Sequence, residues 1–477
     1  MKNKKVIIAT AAIGAILLLG IGLVLKGQIE DQNTPEIIKE GKALSKGTDS
    51  KTYVNNAFEM FKKHASISNE VWDGYDLSNK IIIVGEKDSD TDNVIKAWKL
   101  TNTDKKELTG DEINKVKFPS VGGYDKIDFE DKEGIVISIN EDILGVLSFL
   151  DFNYIYVVAV HEMYHFYGDD IAKYDELNPD SQDSTDRYTK FPKESTPRVY
   201  RKMVYDNLVS AYENPSEQNL YLGKAKYWNE KWKNDYPKEY NQAKVLDIAE
   251  GKARYVEYLM CIDYKGISTE EKIKAIKSFF NKELDILESI DSESYELGFV
   301  SGILLDNINP KWKNEITENP QVPVEMLLKD VKVIKDDSNR FDKVSKKANY
   351  IIDKGNKELK KHMKNIEQAK EDKNIPLLQL SSKLMEGSFT VSDFIACDGD
   401  IVVVNFGAVF KNNDGKAKIE NTSAYLLTGE NDSYNVPITM EYKIENNRLV
   451  IEEKGVSVDI KIKEAKDSDG RTVYIME

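Results

Sequence analysis

The chain has 477 residues and a formal net charge of −15, and its acidic and basic residues are interspersed. This charge pattern lacks the basic face that nucleic-acid binding requires, so we expect no nucleic-acid partner. The length is typical of two or three globular domains. Its two cysteines, Cys261 and Cys397, are too few for a disulfide framework, and we expect both to be buried small apolar residues.

The N-terminal segment has the pattern of a membrane anchor. Three lysines precede an uncharged run, Val6–Leu25, which is long enough as a helix (about 30 Å) to cross a bilayer. No Ala-x-Ala cleavage pattern follows the run, so residues 1–27 are predicted to be an uncleaved signal anchor. The positive charges before the span place the N-terminus in the cytoplasm, and the polar residues 28–50 are predicted to be an extracellular stalk.

Globular structure is expected from residue 51. Tyr53–His64 has the periodicity of a short amphipathic helix, and two apolar runs, Lys80–Val84 and Gly134–Ile139, are predicted to be buried strands. A small sheet therefore belongs to an α/β part that covers residues 51–168. We expect the strand Gly134–Ile139 to pair with an extended peptide by β-augmentation.

The next segment, His161-Glu162-Met163-Tyr164-His165, is the most informative in the chain. On a helix, this spacing places two imidazoles on one face beside a carboxylate, the arrangement that binds zinc in many metallopeptidases. Apolar residues on both sides predict that the helix is buried, and buried polar groups need partners, which a metal supplies. The alternative is a core helix whose histidines donate hydrogen bonds to nearby backbone.

An acidic, polar stretch follows, between Asp169 and Pro197, and is predicted to be a long surface loop. It could hold calcium, although its spacing is not that of an EF-hand and solvated acidic loops are common. Residues 169–375 are otherwise predicted to form a helical lobe. Its helices are expected at Val199–Tyr212, Gln218–Trp232, Glu239–Tyr264, Thr269–Ser289, Tyr295–Ile308 and Phe341–Lys373.

Beyond residue 375 the pattern changes to short alternating runs separated by turns rich in Asn, Asp and Gly. This pattern predicts that residues 376–477 form a separate antiparallel β domain, whose role the sequence does not indicate.

A catalytic zinc site needs a third protein ligand and an open position. Glu250 is the candidate, since the neighbouring Gly251 and Ala253 would let its helix approach the motif helix closely. Glu257, two turns along the same face, could accept a hydrogen bond from a metal-bound histidine or contact the substrate. The acidic residues Asp169, Asp170 and Glu257 compete with Glu250 as ligands, or Glu250 could be a surface carboxylate paired with a cation. His64 and His362 lie beside lysines and are expected to be solvated.

The pairing of His-Glu-x-x-His with Ala249-Glu250-Gly251-Lys252-Ala253-Arg254-Tyr255 resembles the gluzincin metallopeptidases, which include the aminopeptidase N and glycyl aminopeptidase families. The resemblance implies that Glu250 is the third zinc ligand. Ser294-Tyr295-Glu296-Leu297-Gly298 is similar to the segment whose tyrosine stabilises the oxyanion in aminopeptidase N-like enzymes. Tyr295 is therefore a candidate catalytic residue, with Tyr255 as a competitor or a packed aromatic role as the alternative. The upstream motif that binds the substrate amine in those families is missing.

These features predict an α+β protein. It would have a zincin-like domain of small sheet and helical lobe, a C-terminal β domain and an N-terminal transmembrane helix. We expect a membrane-anchored, extracellular zinc peptidase with one Zn²⁺ per chain, Glu162 as general base, and a peptide or protein as substrate. Two alternatives are a catalytically silent surface binding or adhesion protein and an enzyme that hydrolyses non-peptide amides.

Overall fold

The computed structural model describes residues 49–476 except 90, 92, 148–152, 175–176, 178–188, 263–266, 281–289, 398 and 429–431. The predicted anchor, residues 1–27, lies outside the described residues, as does the predicted stalk up to residue 48. No helix within the described ranges is long and apolar enough to cross a membrane. Helices and strands are mixed, with a small sheet near the start and a C-terminal sheet domain, which confirms the coarse fold class.

The described chain divides into two compact units. The larger contains residues up to 186 and 195–349, and the smaller contains residues 187–194 and 350 onward. The larger unit begins with helix α1 (Ser50–His64) and has a five-stranded sheet in the order β3-β2-β1-β5-β4. Its strands are β1 (Ile81–Lys87), β2 (Val94–Leu100), β3 (Lys105–Glu107), β4 (Tyr124–Phe129) and β5 (Lys132–Ile139).

The central pair of this sheet is parallel. Strand β1 is buried along its whole length and pairs with β5, with Ile82 opposite Ile135. Both strands were predicted, and their continuous apolar runs fit strands covered on both faces. The expectation that β5 would bind a peptide is wrong, because β1 and β4 occupy its two edges. The outer edge is that of β4, a strand whose mixed polar sequence gave no signal.

The motif helix, α5 (Tyr154–Met163), packs below this sheet. Asn153 caps it: the side-chain oxygen accepts from the Tyr156 N–H, and the side-chain amide donates to the Tyr53 carbonyl of α1. The helix ends in a π-helical turn, Tyr164–Gly168, so the predicted continuous α-helix stops before His165. Such turns often occur at functional sites.

The rest of the larger unit is mainly helical, and from residue 195 onward its helices fall within the segment that was predicted to be a helical lobe. The other helices up to residue 349 are α2 (Ser68–Val71), α3 (Gly110–Ile113), α4 (Glu141–Leu147), α6 (Ser195–Glu213), α7 (Gln218–Asp235), α8 (Pro237–Met260), α9 (Thr269–Phe279), α10 (Ile290–Ile308), α11 (Trp312–Glu318) and α12 (Pro323–Leu328). The predicted helix Thr269–Ser289 is described only to Phe280, since residues 281–289 lie outside the described ranges. The predicted helix Phe341–Lys373 is two helices, α13 (Arg340–His362) and α14 (Lys364–Glu371).

Two glycines bring α8 and α10 into backbone contact. A Cβ built on Gly298 would lie 2.0 Å from the Cα of Gly251, and one on Gly302 would lie 2.5 Å from the Tyr255 ring. The expectation that Gly251 faces the motif helix is therefore wrong, because the backbone it meets is that of α10. The missing side chains let the helix with Glu250 and the helix with Tyr295 pack tightly together.

The smaller unit is mostly sheet. Its strands are β6 (Thr189–Lys190), β7 (Leu377–Ser381), β8 (Met385–Thr390), β9 (Asp393–Cys397), β10 (Asp400–Asn412), β11 (Gly415–Leu427), β12 (Ser433–Pro437), β13 (Lys443–Glu445), β14 (Arg448–Glu453), β15 (Val456–Lys466) and β16 (Thr472–Met476). The pairing of β15 with β11 closes the strand order on itself around an apolar core that includes Phe406 and Tyr434.

Two details differ from the expected antiparallel domain. Strands β16 and β7 pair in parallel, and so do β6 and β9. Strand β6, Thr189–Lys190, falls in the segment that was predicted to be a surface loop, and that expectation is wrong there because its backbone extends the sheet of the smaller unit.

Replacing Gly298 by Ala should destabilise the larger unit. The added methyl group meets the backbone of Gly251, which cannot move aside as a flexible side chain can. We expect the free energy of unfolding to fall by about 2–3 kcal/mol, as overpacking does elsewhere. Urea unfolding followed by helical circular dichroism measures this change.

Gly110→Ala is the matched control, since no atom lies within 4 Å of its built Cβ. Its effect should be within about 0.5 kcal/mol. Equal unfolding curves for the two variants would contradict the tight crossing of α8 and α10.

Candidate metal centre

His161, His165 and Glu250 come together in the interior of the larger unit, and each is at most 6% exposed. The Nε2 atoms of the two histidines are 3.2 Å apart. Oε2 of Glu250 lies 3.1 Å from Nε2 of His161 and 3.4 Å from Nε2 of His165. The three donor atoms therefore form a nearly equilateral triangle.

This triangle fits a single metal ion. Nitrogen and carboxylate ligands lie about 2.0–2.2 Å from zinc, so two ligands of a tetrahedral zinc are separated by about 3.3 Å. The three observed distances, between 3.1 and 3.4 Å, bracket that value. In the part of the chain that the structure describes, no other group of three or more His, Cys, Asp or Glu side chains has comparable spacing.

Local packing explains how the histidines reach this position. The Tyr75 hydroxyl donates to the Val160 carbonyl at 2.8 Å and fixes the end of the motif helix. In the π-helical turn, Tyr164 packs edge-on against Trp72 and Tyr75. Gly168 leaves room for this packing, because a Cβ there would lie 2.7 Å from the Tyr164 ring. The aromatic contacts thus stabilise the turn that holds His165.

The site has an excess of buried negative charge. Four carboxylates are buried in or beside it, those of Glu162, Glu250, Glu257 and Glu296. The guanidinium of Arg254 pairs with two of them, Glu257 and Glu296. Unpaired negative charge is costly in free energy when it is buried, and a bound divalent cation would reduce that cost.

The pKa values of the ligands reflect the same excess. Burial by itself lowers the pKa of His161, but hydrogen bonds to Glu250 and Glu257 outweigh it and raise this pKa to about 10. Burial acts to raise the pKa of Glu250, yet the two histidines bring it well below its usual value. Without a metal, the imidazole of His161 takes up positive charge in its place.

Glu162, the predicted general base, points into the same interior and is 3% exposed. Burial raises the pKa of Glu162 to about 7, although the two histidines act in the opposite direction. Its side chain is hydrogen bonded to Tyr124, whose own pKa is raised by burial, so the tyrosine hydroxyl is the donor. The other carboxylate oxygen, Oε2, has no hydrogen-bond partner among the described residues.

Tyr124 is a site residue that sequence reasoning missed. It is the first residue of the edge strand β4 and follows two glycines, Gly122 and Gly123. Its strand alternates polar and apolar residues weakly, and no motif includes it. The only available signal was its position two strands before the His-Glu-x-x-His helix.

Of the two candidate tyrosines, the structure places Tyr295 next to the histidines. Its ring centroid is 5.5 Å from that of His161, and its side chain is 1% exposed. The Tyr255 hydroxyl donates to Asp306 at 2.8 Å, and its ring packs against Trp72 and Trp312. Tyr255 therefore has a structural environment away from the triangle.

Of the competing ligands, Glu257 lies beside the triangle and not in it. Its Oε2 atom accepts from Nδ1 of His161 at 2.9 Å, so it contacts the far side of a ligand ring. Asp169 instead forms a buried ion pair with Lys252, at 2.5 Å, and accepts from the Tyr174 hydroxyl. Asp170 lies 3.6 Å from the Lys173 ammonium and is exposed.

Asp169 thus departs from the predicted surface loop, because the buried ammonium of Lys252 requires a carboxylate. The calcium expectation rests on the same acidic stretch, most of which, Asp175, Glu176, Asp180, Asp183 and Asp186, lies outside the described residues.

The other histidines and the cysteines lie elsewhere. The prediction that His64 is solvated is wrong: it is 4% exposed, and its Nδ1 is 3.2 Å from the Tyr156 hydroxyl. Its neighbouring lysines point outward, while His64 itself is on the inner face of α1. His362 is half-buried at the end of α13. Cys261 and Cys397 are both buried, as predicted, and are not joined in a disulfide.

Comparisons with known proteins found no matching family model, no matching curated protein and no matching solved structure.

Substitution of Asp169 tests whether this residue stabilises the fold through Lys252 or binds the metal. Asp169→Ala leaves the Lys252 ammonium buried without its carboxylate, so we expect a loss of about 3–5 kcal/mol in the free energy of unfolding. Metal content should not change. Chemical denaturation and elemental analysis of the same preparations measure the two quantities.

The double variant Asp169→Ala with Lys252→Met is the control. It removes both charges and should recover most of the lost stability. A loss of metal in Asp169→Ala at unchanged stability would instead identify Asp169 as a ligand.

Proposed function

We propose that this protein is a zinc-dependent peptidase. The triangle of His161, His165 and Glu250 carries the proposal, because its distances fit one tetrahedral zinc and its surroundings hold excess negative charge. The carboxylate of Glu162 lies beside the triangle. This combination of three ligands and a nearby base matches the requirements of metal-assisted hydrolysis.

Zinc bound by these three side chains would polarise a peptide carbonyl and lower the pKa of a water molecule. Glu162 is the group of this chain that handles the proton. Its Oε2 atom, which has no hydrogen-bond partner among the described residues, accepts the proton of the attacking water. The same carboxyl then donates that proton to the leaving amine. Tyr124 holds the other side of the carboxylate during both transfers.

Tyr295 is proposed to stabilise the oxyanion. It is buried next to His161, and a tyrosine hydroxyl in a water-excluded site is an effective donor to a developing negative charge. Its position depends on the close packing of α10 on α8. Glu250 and Tyr295 are thereby held by a single helix pair.

The edge strand β4 indicates how an extended peptide would bind. No strand of the described chain pairs with the outer edge of β4, whose first residue, Tyr124, contacts Glu162. A peptide that adds to this edge would use backbone hydrogen bonds for affinity. Its backbone would then pass directly beside Glu162.

The N-terminal segment indicates where the protein would act. The segment 1–27 has the pattern of a signal anchor, which would hold the peptidase at the cell membrane with its larger unit outside. This part of the proposal rests on the sequence pattern alone.

The metal site predicts a zinc-dependent gain in stability. At a free zinc concentration 100-fold above its Kd, a ligand that binds only the folded chain adds about 2.7 kcal/mol. His161→Ala, His165→Ala and Glu250→Gln should abolish this gain. Thermal unfolding with and without zinc measures it.

His362→Ala removes a histidine outside the cluster and is the matched control, so it should keep the full zinc response. A zinc response that survives in Glu250→Gln but is lost in both histidine variants would assign the third ligand elsewhere.

Substitution of Glu162 should abolish peptide hydrolysis without affecting metal binding. In Glu162→Gln the amide cannot take the proton, and we expect peptide hydrolysis to fall by about 100-fold or more. Zinc content and the unfolding midpoint should stay close to those of the unsubstituted protein. Hydrolysis of a quenched fluorescent peptide library by zinc-loaded protein is the assay.

The exposed Glu70→Gln is the control and should retain full activity. Undiminished hydrolysis in Glu162→Gln would contradict its role as general base. A zinc-loaded protein that hydrolyses no peptide at all would favour the silent binding protein.

A further inference from the structure

A chain of polar contacts runs from Arg254 to the metal triangle. Nη1 of Arg254 donates to Oε1 of Glu257 at 2.5 Å. The second oxygen of the same carboxylate, Oε2, accepts from Nδ1 of His161 at 2.9 Å. The opposite ring nitrogen, Nε2, is the atom of His161 that belongs to the triangle. One guanidinium is therefore linked to one ligand through one carboxylate.

The guanidinium is itself held in place. Its carbon atom lies 4.7 Å from the ring centroid of Tyr295 and 4.9 Å from that of Tyr258, so two aromatic rings flank it. Nε of Arg254 is 3.6 Å from Oε1 of Glu296, which also accepts from the Tyr258 hydroxyl at 3.0 Å. The side chain is 14% exposed. A planar group fits this position better than the tetrahedral ammonium of lysine.

This arrangement determines the protonation state of His161 that a metal requires. A carboxylate on Nδ1 favours the tautomer with hydrogen on Nδ1, which leaves a lone pair on Nε2. Glu257 can act this way only while it is an anion in a fixed orientation. Arg254 supplies both the compensating charge and the direction, through one short hydrogen bond.

The two histidines differ in this support. Nδ1 of His165 is buried and has no hydrogen-bond partner among the residues that the structure describes. Of the two histidine rings, the ring of His161 is therefore the one that a charged pair supports. Glu257 and Arg254 orient that ring within the triangle.

We propose that Arg254 is a positioning residue for the metal centre, acting through Glu257 on His161. The inference rests on the proposed metal site. Arg254 contacts neither the triangle nor the base Glu162 in this arrangement, and it also borders Tyr295. Its effect should appear first in the affinity and coordination of the metal, before any effect on a substrate.

The test compares metal binding in Arg254→Lys, Glu257→Gln and the double variant. Zinc affinity is measured by competition with a chromophoric chelator, and coordination is followed by the visible absorption bands of bound Co²⁺. Loss of a group that orients a ligand typically weakens metal affinity by about 10–100-fold. We expect about 10-fold for Arg254→Lys and a larger loss for Glu257→Gln, with altered cobalt bands in both.

The double variant should bind zinc no more weakly than Glu257→Gln alone, because Arg254 acts through that carboxylate. Arg201→Lys is the matched control. Arg201, on α6, is also buried and lies 4.4 Å from the Trp232 ring. It forms a bidentate pair with Asp247, which is on α8 as Arg254 is. The Arg201→Lys variant should lose stability as Arg254→Lys does, but it should keep the zinc affinity and the cobalt spectrum of the unsubstituted protein.

Three outcomes would overturn the inference. The first is an unchanged affinity and spectrum in Arg254→Lys, and the second is an equal loss in Arg254→Lys and Arg201→Lys. The third is an additive loss in the double variant. If the unsubstituted protein binds neither zinc nor cobalt, the proposed function fails as well, whereas the other outcomes leave it intact.

Discussion

The interior between helices α5 and α8 must accommodate more negative than positive charge, and much of the larger unit serves this requirement. His161 of α5 and His165 of the π-helical turn that follows it meet Glu250 of α8. A separate ion pair between Asp169 and Lys252 joins the segment after α5 to α8, and its two charges balance each other. Buried polar groups of this kind are costly unless each has a partner. A divalent cation at the triangle would supply the charge that the protein side chains lack.

The surrounding fold keeps these groups in position. Aromatic packing on Tyr164 stabilises the π-helical turn that holds His165. The glycine contacts between α8 and α10 bring Glu250 and Tyr295 onto one tightly packed helix pair. On the other side, the sheet presents Tyr124 to Glu162. Each of the proposed roles therefore depends on a contact between different elements of the larger unit. The smaller unit forms its own core and contributes no residue to the triangle.

The sequence predicted the parts of this arrangement that follow from short-range periodicity. The spacing of His161 and His165 indicated a shared helix face, and the Glu-Gly pattern singled out Glu250 from many glutamates. Buried strands β1 and β5 were visible because both faces are apolar. Edge strand β4 was missed because only two of its six residues are buried, and with it Tyr124 was missed.

Other features depend on tertiary contacts that no local pattern encodes. Gly251 was assigned to the wrong neighbour, since a small residue indicates close packing without indicating the partner. His64 was judged from its neighbouring lysines, but the opposite face of its helix decides its environment. Arg254 gave no signal, because its importance arises from two aromatic rings and a carboxylate that meet only after folding.

The proposed zinc chemistry requires one metal ion between α5 and α8. Anomalous diffraction at the zinc absorption edge, from crystals of the zinc-loaded protein, tests this most directly. We expect one strong peak within about 2.0–2.2 Å of Nε2 of His161, Nε2 of His165 and a carboxylate oxygen of Glu250. A zinc peak coordinated by other residues, or the absence of a peak at this triangle in zinc-loaded crystals, would contradict it.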